Sequence, residues 1–270
     1  MSMTPKLGKR GRFAKVSNGA GMKTAAINQV IYLKERNFNM LKKELIFRNP
    51  LRLMGHEAED ILHSGGFGAV LARAGLGKTA ILVQLALDSL LRSRNVLHIS
   101  LDDSVKKVCL WYEEVFRNIA DQYNLRQIEQ LWESIVSHRL IMTFKVDGFS
   151  VPKLEERLTD LIEQNIFLPQ VILIDGLPFD KDMRESLTEL KKLVESRSMH
   201  VWFTVRTHRH EEPGPNGMPA SLLNVADLFD IIIQLQPEGK EIHVKALKGG
   251  LEACDYPELL LDPSTMLVKG

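Results

Sequence analysis

The part of the chain best equipped for chemistry is a glycine-rich segment at residues 72–79, which reads Ala-Arg-Ala-Gly-Leu-Gly-Lys-Thr. Glycines let the backbone N–H groups of such a turn approach phosphate oxygens closely, and the Lys78 ammonium can reach toward the β and γ phosphates of a nucleotide. The Thr79 hydroxyl can bind Mg²⁺ beside them. The segment predicts a nucleoside triphosphate site with these contacts: Arg73, Ala74, Gly75, Leu76, Gly77, Lys78, Thr79 and Ala80.

The residues on either side of this segment predict the elements that hold it. A short apolar run at 67–71 precedes it and is typical of a strand, and the apolar residues of 81–87 recur with the period of a helix. A strand, a glycine loop and a helix in this order form the arrangement that phosphate binding needs. A glycine turn followed by an ordinary helix is the alternative interpretation.

Further apolar runs predict a sheet of mainly parallel strands. They lie at 96–101, 139–144, 170–175, 200–205 and 229–235, and stretches of helical period lie between most of them, at 104–136, 151–166 and 182–198. Strands this apolar indicate burial on both faces. Another run at 241–247 follows the turn residues 237–240 and predicts an antiparallel hairpin. We expect an α/β fold, with a twisted, mainly parallel sheet flanked by helices and a C-terminal antiparallel hairpin.

Polar residues at the ends of these strands are candidate site residues, because ligands of parallel sheets collect at the carboxyl ends of the strands. Asp175 closes the run 171–174 and is of the type that holds Mg²⁺ in phosphate-loop enzymes, although a plain strand-ending residue is the alternative. Asp102 and Asp103 follow another strand, where a carboxylate can orient or deprotonate a water for attack on the γ phosphate. With Ser104 they can instead cap the next helix, or the two acids can divide the two roles.

The predicted strand at 200–205 ends in a basic cluster, Arg206-Thr207-His208-Arg209-His210. Such a cluster can sense the γ phosphate or bind a second anion, and the Gly- and Pro-rich residues that follow favour a loop. A solvated loop is the alternative interpretation. A metal site made by the histidines is disfavoured, because no Cys or acidic residue stands at ligand spacing.

Charge divides the chain into two unlike parts. Residues 1–50 contain eleven Lys or Arg and two acidic residues, a net charge of +9, whereas residues 51–270 carry a net charge of −8. Residues 1–24 have too little apolar content to order themselves, which predicts a flexible basic arm. It can tether the chain to nucleic acid, an acidic membrane surface or a neighbouring subunit, serve as a transit peptide, or be a plain solvated tail. We expect a helical extension at 25–54, with its helix at 25–47, and a single α/β domain at 55–270.

Composition bounds the class of protein. With 44% hydrophobic residues in 270, the chain can bury a sizeable core. The two cysteines, Cys109 and Cys254, form neither a disulfide framework nor a metal-ligand pair, which favours a reducing compartment. The sequence has no run of apolar residues long enough to span a membrane and no apolar signal segment, so a cytoplasmic location is expected.

Five segments together resemble the core of RecA-like ATPases, in particular KaiC-like ATPases and replicative hexameric helicases. They are Gly65-Gly66-Phe67, the segment 72–79, Val96–Ser104, Ile172–Leu177 and Ile242–Gly250, and the resemblance covers residues 55–250. The resemblance implies a RecA-like domain at 55–270 that binds ATP and hydrolyses it with Mg²⁺. It places Thr79 and Asp175 at the Mg²⁺ ion and Lys78 at the phosphates, with Asp102 at the position of the family's catalytic Glu.

The chain departs from the family pattern in two places. Asp102 is one methylene shorter than Glu, which implies slow hydrolysis. Of the family's Lys-x-Arg pair, which reaches into the neighbouring subunit's nucleotide, the chain has Ala246 at the first place and Lys248 at the second, with Lys245 one residue off register. The family's polar sensor residue falls at Arg206 or Thr207. The resemblance also implies a homo-oligomer, which is a hexamer in KaiC-like proteins.

The resulting expectation is a Mg²⁺-dependent ATPase that couples its nucleotide state to a partner or an assembly. Two other functions stay open. One is a nucleotide-gated switch or scaffold with negligible hydrolysis, and the other is a small-molecule phosphotransferase in which residues 206–210 form an anion-binding lid. A DNA motor, which is a variant of this ATPase, ranks lower, because no interleaved basic and aromatic residues predict a stacking groove. A nucleic-acid partner bound through the basic arm stays possible.

Overall fold

A computed structural model describes residues 39–40, 42–43, 45–46, 62–123, 128–179, 182–207, 214, 217–249 and 259–269. Contacts between Cα atoms divide the chain into two units, Met1–Lys43 and Glu44–Gly270. Residues 39–40 and 42–43 of the first unit are helical. Residues 45–46 of the second unit are also helical. The basic arm predicted at 1–24, most of the helix predicted at 25–47, and Cys254 lie outside the described residues.

The described part of the second unit alternates strands with helices. The strands are β1 (Phe67–Ala72), β2 (Val96–Ser100), β3 (Arg139–Thr143), β4 (Val171–Asp175), β5 (His200–Arg206), β6 (Ile231–Glu238), β7 (Glu241–Lys248), β8 (Leu259–Leu261) and β9 (Val268–Lys269). The helices are α1 (Lys78–Leu91), α2 (Val105–Gln122), α3 (Ile128–Val136), α4 (Val151–Glu163), α5 (Arg184–Ser196) and α6 (Ala220–Leu223), with 3₁₀ turns at Val146–Gly148 and Ala226–Leu228. Among these helices none is both long and apolar enough to cross a membrane.

All of these strands join one sheet in the order β3-β2-β4-β5-β1-β6-β7-β8-β9. The first six in this order run parallel to one another, and β7, β8 and β9 each run antiparallel to the strand before. The turn between β6 and β7 contains Gly239, whose φ is 63°. The predicted α/β fold with a mainly parallel sheet and a C-terminal antiparallel hairpin is therefore confirmed, while β8 and β9 were not predicted.

Two helices end earlier than their periodicity indicates. Helix α4 ends at Glu163 rather than at 166, and α5 ends at Ser196 rather than at 198. Asn165 and Ser198, two residues beyond these ends, have φ of 53° and 55°. A residue in the left-handed region just past a helix stops it. The stretch predicted at 104–136 forms two helices, α2 and α3.

The sheet carries helices on both faces. Side chains alternate along β1, so Phe67, Ala69 and Leu71 point to one face, where they share a core with buried residues of α4, α5 and α6. Helix α1 covers the opposite face and is buried along nearly its whole length, and α2 packs against it. The buried residues of α1 are apolar apart from Gln84, Asp88 and Ser89, as expected for a helix enclosed on most sides. The start of α1, where the glycine-rich segment ends, is therefore held firmly against the sheet.

A buried polar cluster lies between β2, α2 and β3. His98 on β2 is fully buried, and its Nδ1 lies 3.1 Å from the Tyr112 hydroxyl of α2. The Arg139 guanidinium of β3 lies 4.5 Å from the centre of the Tyr112 ring. Burial, helped by the Arg139 charge, lowers the pKa of His98 to about 3. The His98 imidazole is therefore neutral in the folded chain at neutral pH.

Candidate functional site

The glycine loop, residues 72–79, joins β1 to α1 at the carboxyl edge of the sheet. Gly75 and Gly77 have φ of 79° and 91°, in the left-handed region that other residues rarely adopt. A Cβ on Gly77 would lie 2.9 Å from the Leu261 Cδ2 atom, whereas at Gly75 no other described atom lies within 4 Å of that position. Gly75 is needed for its backbone conformation, and Gly77 for its conformation and for close packing.

Lys78, the first residue of α1, turns its side chain back over the loop. Its Nζ donates hydrogen bonds to the Ala72 carbonyl at 3.1 Å and to the Arg73 carbonyl at 3.0 Å. Burial is the largest influence on the Lys78 ammonium and lowers its pKa, while the charges of Asp175 and Asp102 raise it and that of Arg206 lowers it. Asp175, Asp102 and Arg206 are thus the charged side chains that act on the Lys78 ammonium.

Asp175 ends β4 and accepts hydrogen bonds on both carboxylate oxygens. The Thr79 hydroxyl donates to Oδ2 at 2.9 Å, and the Thr204 hydroxyl of β5 donates to Oδ1 at 2.5 Å. Burial raises the pKa of Asp175, and the two hydroxyl hydrogen bonds act against that rise. The structure thus brings together Thr79 and Asp175, the two residues for which the sequence predicts Mg²⁺ binding.

The neighbours Asp102 and Asp103 have different surroundings. The Asp103 carboxylate accepts a hydrogen bond from Lys107 Nζ at 2.7 Å, and the N-cap of α2 is Ser104, whose hydroxyl accepts from the Lys107 N–H. Asp102 makes no hydrogen bond within the described part of the chain. A Cβ on Gly176 would lie 2.7 Å from Asp102 Oδ2, so this carboxylate lies against the residue that follows Asp175. Asp103 is therefore paired with Lys107 of α2, and Asp102 lies beside Gly176.

Arg206 and Lys248, two basic residues predicted at the site, do not both lie beside the glycine loop. Arg206 is in register with Ala72, the residue at which the glycine loop begins, and its side chain is exposed. Residues 208–213, which include His208, Arg209 and His210, lie outside the described residues. Lys248 is in register with Ile232 on β6, which is itself level with Ala69, and its Nζ donates to the Ala226 carbonyl at 2.8 Å. Within one chain, Lys248 does not join the glycine loop.

Sequence reasoning missed Thr204 as a member of this site. Thr204 is only 2% exposed, donates to Asp175 and accepts a hydrogen bond from the Gly176 N–H at 3.0 Å. The available signal is a single hydroxyl within the apolar strand 201–205, two residues before Arg206 and therefore on the same face of the strand. That pattern does not reveal which group the hydroxyl contacts.

A second missed feature is the packing of the β8–β9 hairpin beside the loop. Leu261 and Met266 both approach the position that a Cβ on Gly77 would take. Gln84 of α1 donates to the Met266 carbonyl at 2.8 Å and accepts from the Val268 N–H at 3.0 Å. This hairpin therefore forms a wall of the loop at Gly77, and in the strand order it lies on the other side of β1 from β4, which ends in Asp175.

The donor set of the site suits one kind of metal. The described residues contain no group of three or more His, Cys, Asp or Glu side chains arranged around a common centre. A single carboxylate with a hydroxyl is what Mg²⁺ accepts from a protein when phosphate oxygens and water complete its six ligands.

A scan against protein-family models and a search of curated proteins gave no match to the sequence.

Proposed function

We propose that the chain is a RecA-like ATPase that binds ATP with Mg²⁺ and hydrolyses it. The observation that supports this best is the hydrogen bond from Thr79 to Asp175, which joins the glycine loop to a strand-end carboxylate 96 residues later. Because the Thr79 proton is given to Asp175, the lone pairs of the hydroxyl oxygen remain for a cation. A plain glycine turn before a helix has no need of such a pair.

The loop and Lys78 supply the phosphate end of the site. The loop leads into a helix of fourteen residues, whose first N–H groups and dipole favour an anion. The Lys78 ammonium, which in this structure bonds to two neutral carbonyls, gains stronger, charge-assisted hydrogen bonds from phosphate oxygens. Lys78 is therefore the residue that we expect to bind the β and γ phosphates.

Thr79 and Asp175 are the residues that would hold Mg²⁺. Their oxygens are already hydrogen-bonded to each other, so the two donors need little rearrangement to share a cation. A bound magnesium ion supplies charge neutralisation at the β and γ phosphates. Asp175 is buried, and a cation beside it would relieve the cost of keeping a charged carboxylate away from water.

Asp102 is the residue that we assign to the attacking water. It lies beside Gly176 and exposes its carboxylate, whereas Asp103 is paired with Lys107. A carboxylate that orients or deprotonates the nucleophile contributes roughly 10²- to 10⁴-fold to a rate. Because Asp is shorter than Glu, we expect a slow turnover.

Nucleotide binding tests the first half of the proposal. Calorimetry with ATP and Mg²⁺ should show binding to the wild type and its loss in Lys78→Ala, because the variant lacks the ammonium at the phosphates. Lys153→Ala is the matched control, since Lys153 Nζ also donates to a backbone carbonyl, that of Gly148 at 3.1 Å. Equal ATP affinity of Lys78→Ala and the wild type would remove the proposal.

Turnover tests the second half. Release of phosphate should fall about 100-fold or more in Asp102→Asn at unchanged ATP affinity, and Asp103→Asn should stay near the wild type. The reverse order of the two variants would show that Asp103 is the water-orienting residue. ATP binding without turnover in the wild type would favour a nucleotide-gated switch, and turnover that requires an added acceptor would favour a phosphotransferase.

The assembly expected from the resemblance needs its own measurement. Light scattering with and without nucleotide should show a homo-oligomer, a hexamer if the chain assembles as KaiC-like proteins do. Stimulation of turnover by single-stranded DNA that weakens with added salt would indicate a nucleic-acid partner.

A further inference from the structure

We propose, on the basis of the ATPase function above, that Thr204 is a positioning residue, which holds the Asp175 carboxylate in the orientation that a magnesium ion requires. Thr204 lies on β5, the strand between β1, which leads into the glycine loop, and β4, which ends in Asp175. Ile174 is in register with Phe203, so Asp175 and Thr204 are level with each other at the carboxyl edge of the sheet.

The hydrogen bonds around Thr204 fix the direction of its hydroxyl. The Gly176 N–H donates to Thr204 Oγ1 at 3.0 Å, which occupies one acceptor site of that oxygen. The hydroxyl then gives its only proton to Asp175 Oδ1, 2.5 Å away. Because Thr204 is only 2% exposed, water does not compete for these positions. The hydroxyl therefore has one arrangement available to it.

This arrangement determines how the carboxylate of Asp175 is turned. The terminal torsion of an Asp side chain is broad and roughly two-fold, so the residue itself selects no orientation. With Oδ1 held from β5 by Thr204, Oδ2 is the oxygen that faces Thr79, at 2.9 Å. The oxygen presented to the cation and to the glycine loop is thus chosen by a residue that contacts neither of them.

The same hydroxyl also holds the peptide on which Asp102 rests. Gly176 donates its N–H to Thr204 and has a φ of 89°, and a Cβ at this residue would lie 2.7 Å from Asp102 Oδ2. Thr204 therefore connects two carboxylates with separate roles, one at the cation and one at the water. A purely structural role for Thr204 predicts instead that its loss lowers stability and leaves the magnesium response intact.

The experiment compares the affinity for ATP with Mg²⁺ and with EDTA in place of Mg²⁺, measured by calorimetry on the full chain. Thr204→Val keeps the shape of the side chain and removes the hydroxyl. We expect its ATP affinity in EDTA to equal that of the wild type, and the gain in affinity on adding Mg²⁺ to fall about 10- to 100-fold, the usual effect of removing a residue that orients a metal ligand. Thr204→Ser should restore the gain.

Two further variants keep the test decisive. Thr188→Val is the matched control, because Thr188 of α5 also donates a hydroxyl hydrogen bond, to the Arg184 carbonyl at 2.7 Å, away from the site. If Thr204→Val does not fold, Thr204→Cys replaces it, since a thiol is a weak donor and should also lose the gain. A folded Thr204→Val or Thr204→Cys that retains the wild-type gain overturns this inference alone. Failure of the wild type to bind ATP overturns the proposed function as well.

Discussion

The buried histidine on β2 makes the stability of the chain depend on pH. His98 is fully buried, with Tyr112 of α2 at its Nδ1 and the Arg139 charge of β3 nearby, and its pKa is lowered from 6.5 to about 3. The unfolded chain therefore binds a proton at this residue at a pH where the folded chain does not. The stabilisation is fully present above the unfolded pKa and is lost as the pH falls toward the folded one.

The size of this loss follows from the two pKa values. Between pH 7.5 and 5.5 the unfolded imidazole changes from largely neutral to largely protonated, while the folded imidazole, with a pKa of about 3, stays neutral. The free energy of unfolding should fall by about 1.4 kcal/mol over this interval through His98 alone. His200 adds a second loss of the same sign, because burial lowers its pKa to about 4. Asp175 has a raised pKa, so its contribution to the free energy of unfolding increases as the pH falls. The effect of His98 therefore has to be measured as the difference in pH dependence between the wild type and a variant.

Urea unfolding at pH 7.5 and 5.5 provides that difference. His98→Phe should lose about 1.4 kcal/mol less stability on acidification than the wild type does. Tyr112→Phe is the matched control, because it breaks the same hydrogen bond and keeps the titrating imidazole, so its pH dependence should remain that of the wild type. Equal pH dependence of His98→Phe and the wild type would show that His98 can bind a proton in the folded state.

Two more substitutions test the packing of the site. Gly176→Ala should lower the free energy of unfolding in urea by roughly 1–2 kcal/mol, because the residue has a φ of 89°. It should also lower ATP turnover, because the new Cβ displaces Asp102. Gly239→Ala is the control, because Gly239 has a φ of 63° and no described atom lies within 4 Å of the new Cβ. It should show a similar loss of stability with unchanged ATP turnover. A normal rate of turnover in Gly176→Ala would contradict the placement of Asp102. Gln84→Leu should cost about 2–4 kcal/mol in the same unfolding assay, because it leaves the Met266 carbonyl and the Val268 N–H without their partner. Asn118→Leu, which removes one hydrogen bond to the Thr265 carbonyl, should cost less, and an equal loss in both variants would argue against the role given to Gln84.

The strands of the parallel core could be predicted from the sequence because their signal is local. A strand that is buried on both faces is mostly apolar, so β2, β4 and β5 stand out as apolar runs even though each contains one or more polar residues. Strands β8 and β9 have three and two residues. Segments this short carry no periodicity, and they depend on partners such as Gln84 that lie far away in the sequence.

Some residues of the candidate site could likewise be predicted from local patterns in the sequence, and others could not. The roles of Lys78 and Thr79 could be predicted from the residue spacing of the eight-residue segment 72–79. That of Asp175 could be predicted from its place at the end of an apolar run. The different surroundings of Asp102 and Asp103 could not be foreseen, because they depend on which carboxylate Lys107 reaches and on the space left by Gly176. Thr204 was missed for a related reason, since one hydroxyl in an apolar strand indicates a buried hydrogen bond without naming its partner.

The contacts of Gln84 also bear on how the chain folds as it is synthesised. Its two backbone partners in the β8–β9 hairpin lie 182 and 184 positions later. Helix α1 leaves the ribosome long before those partners exist, so until then the Gln84 amide can bond only to water and to the Ala80 carbonyl of its own helix. The wall beside the glycine loop closes only when residue 268 has emerged, and nascent chains shorter than this should hold the loop less firmly than the full-length product.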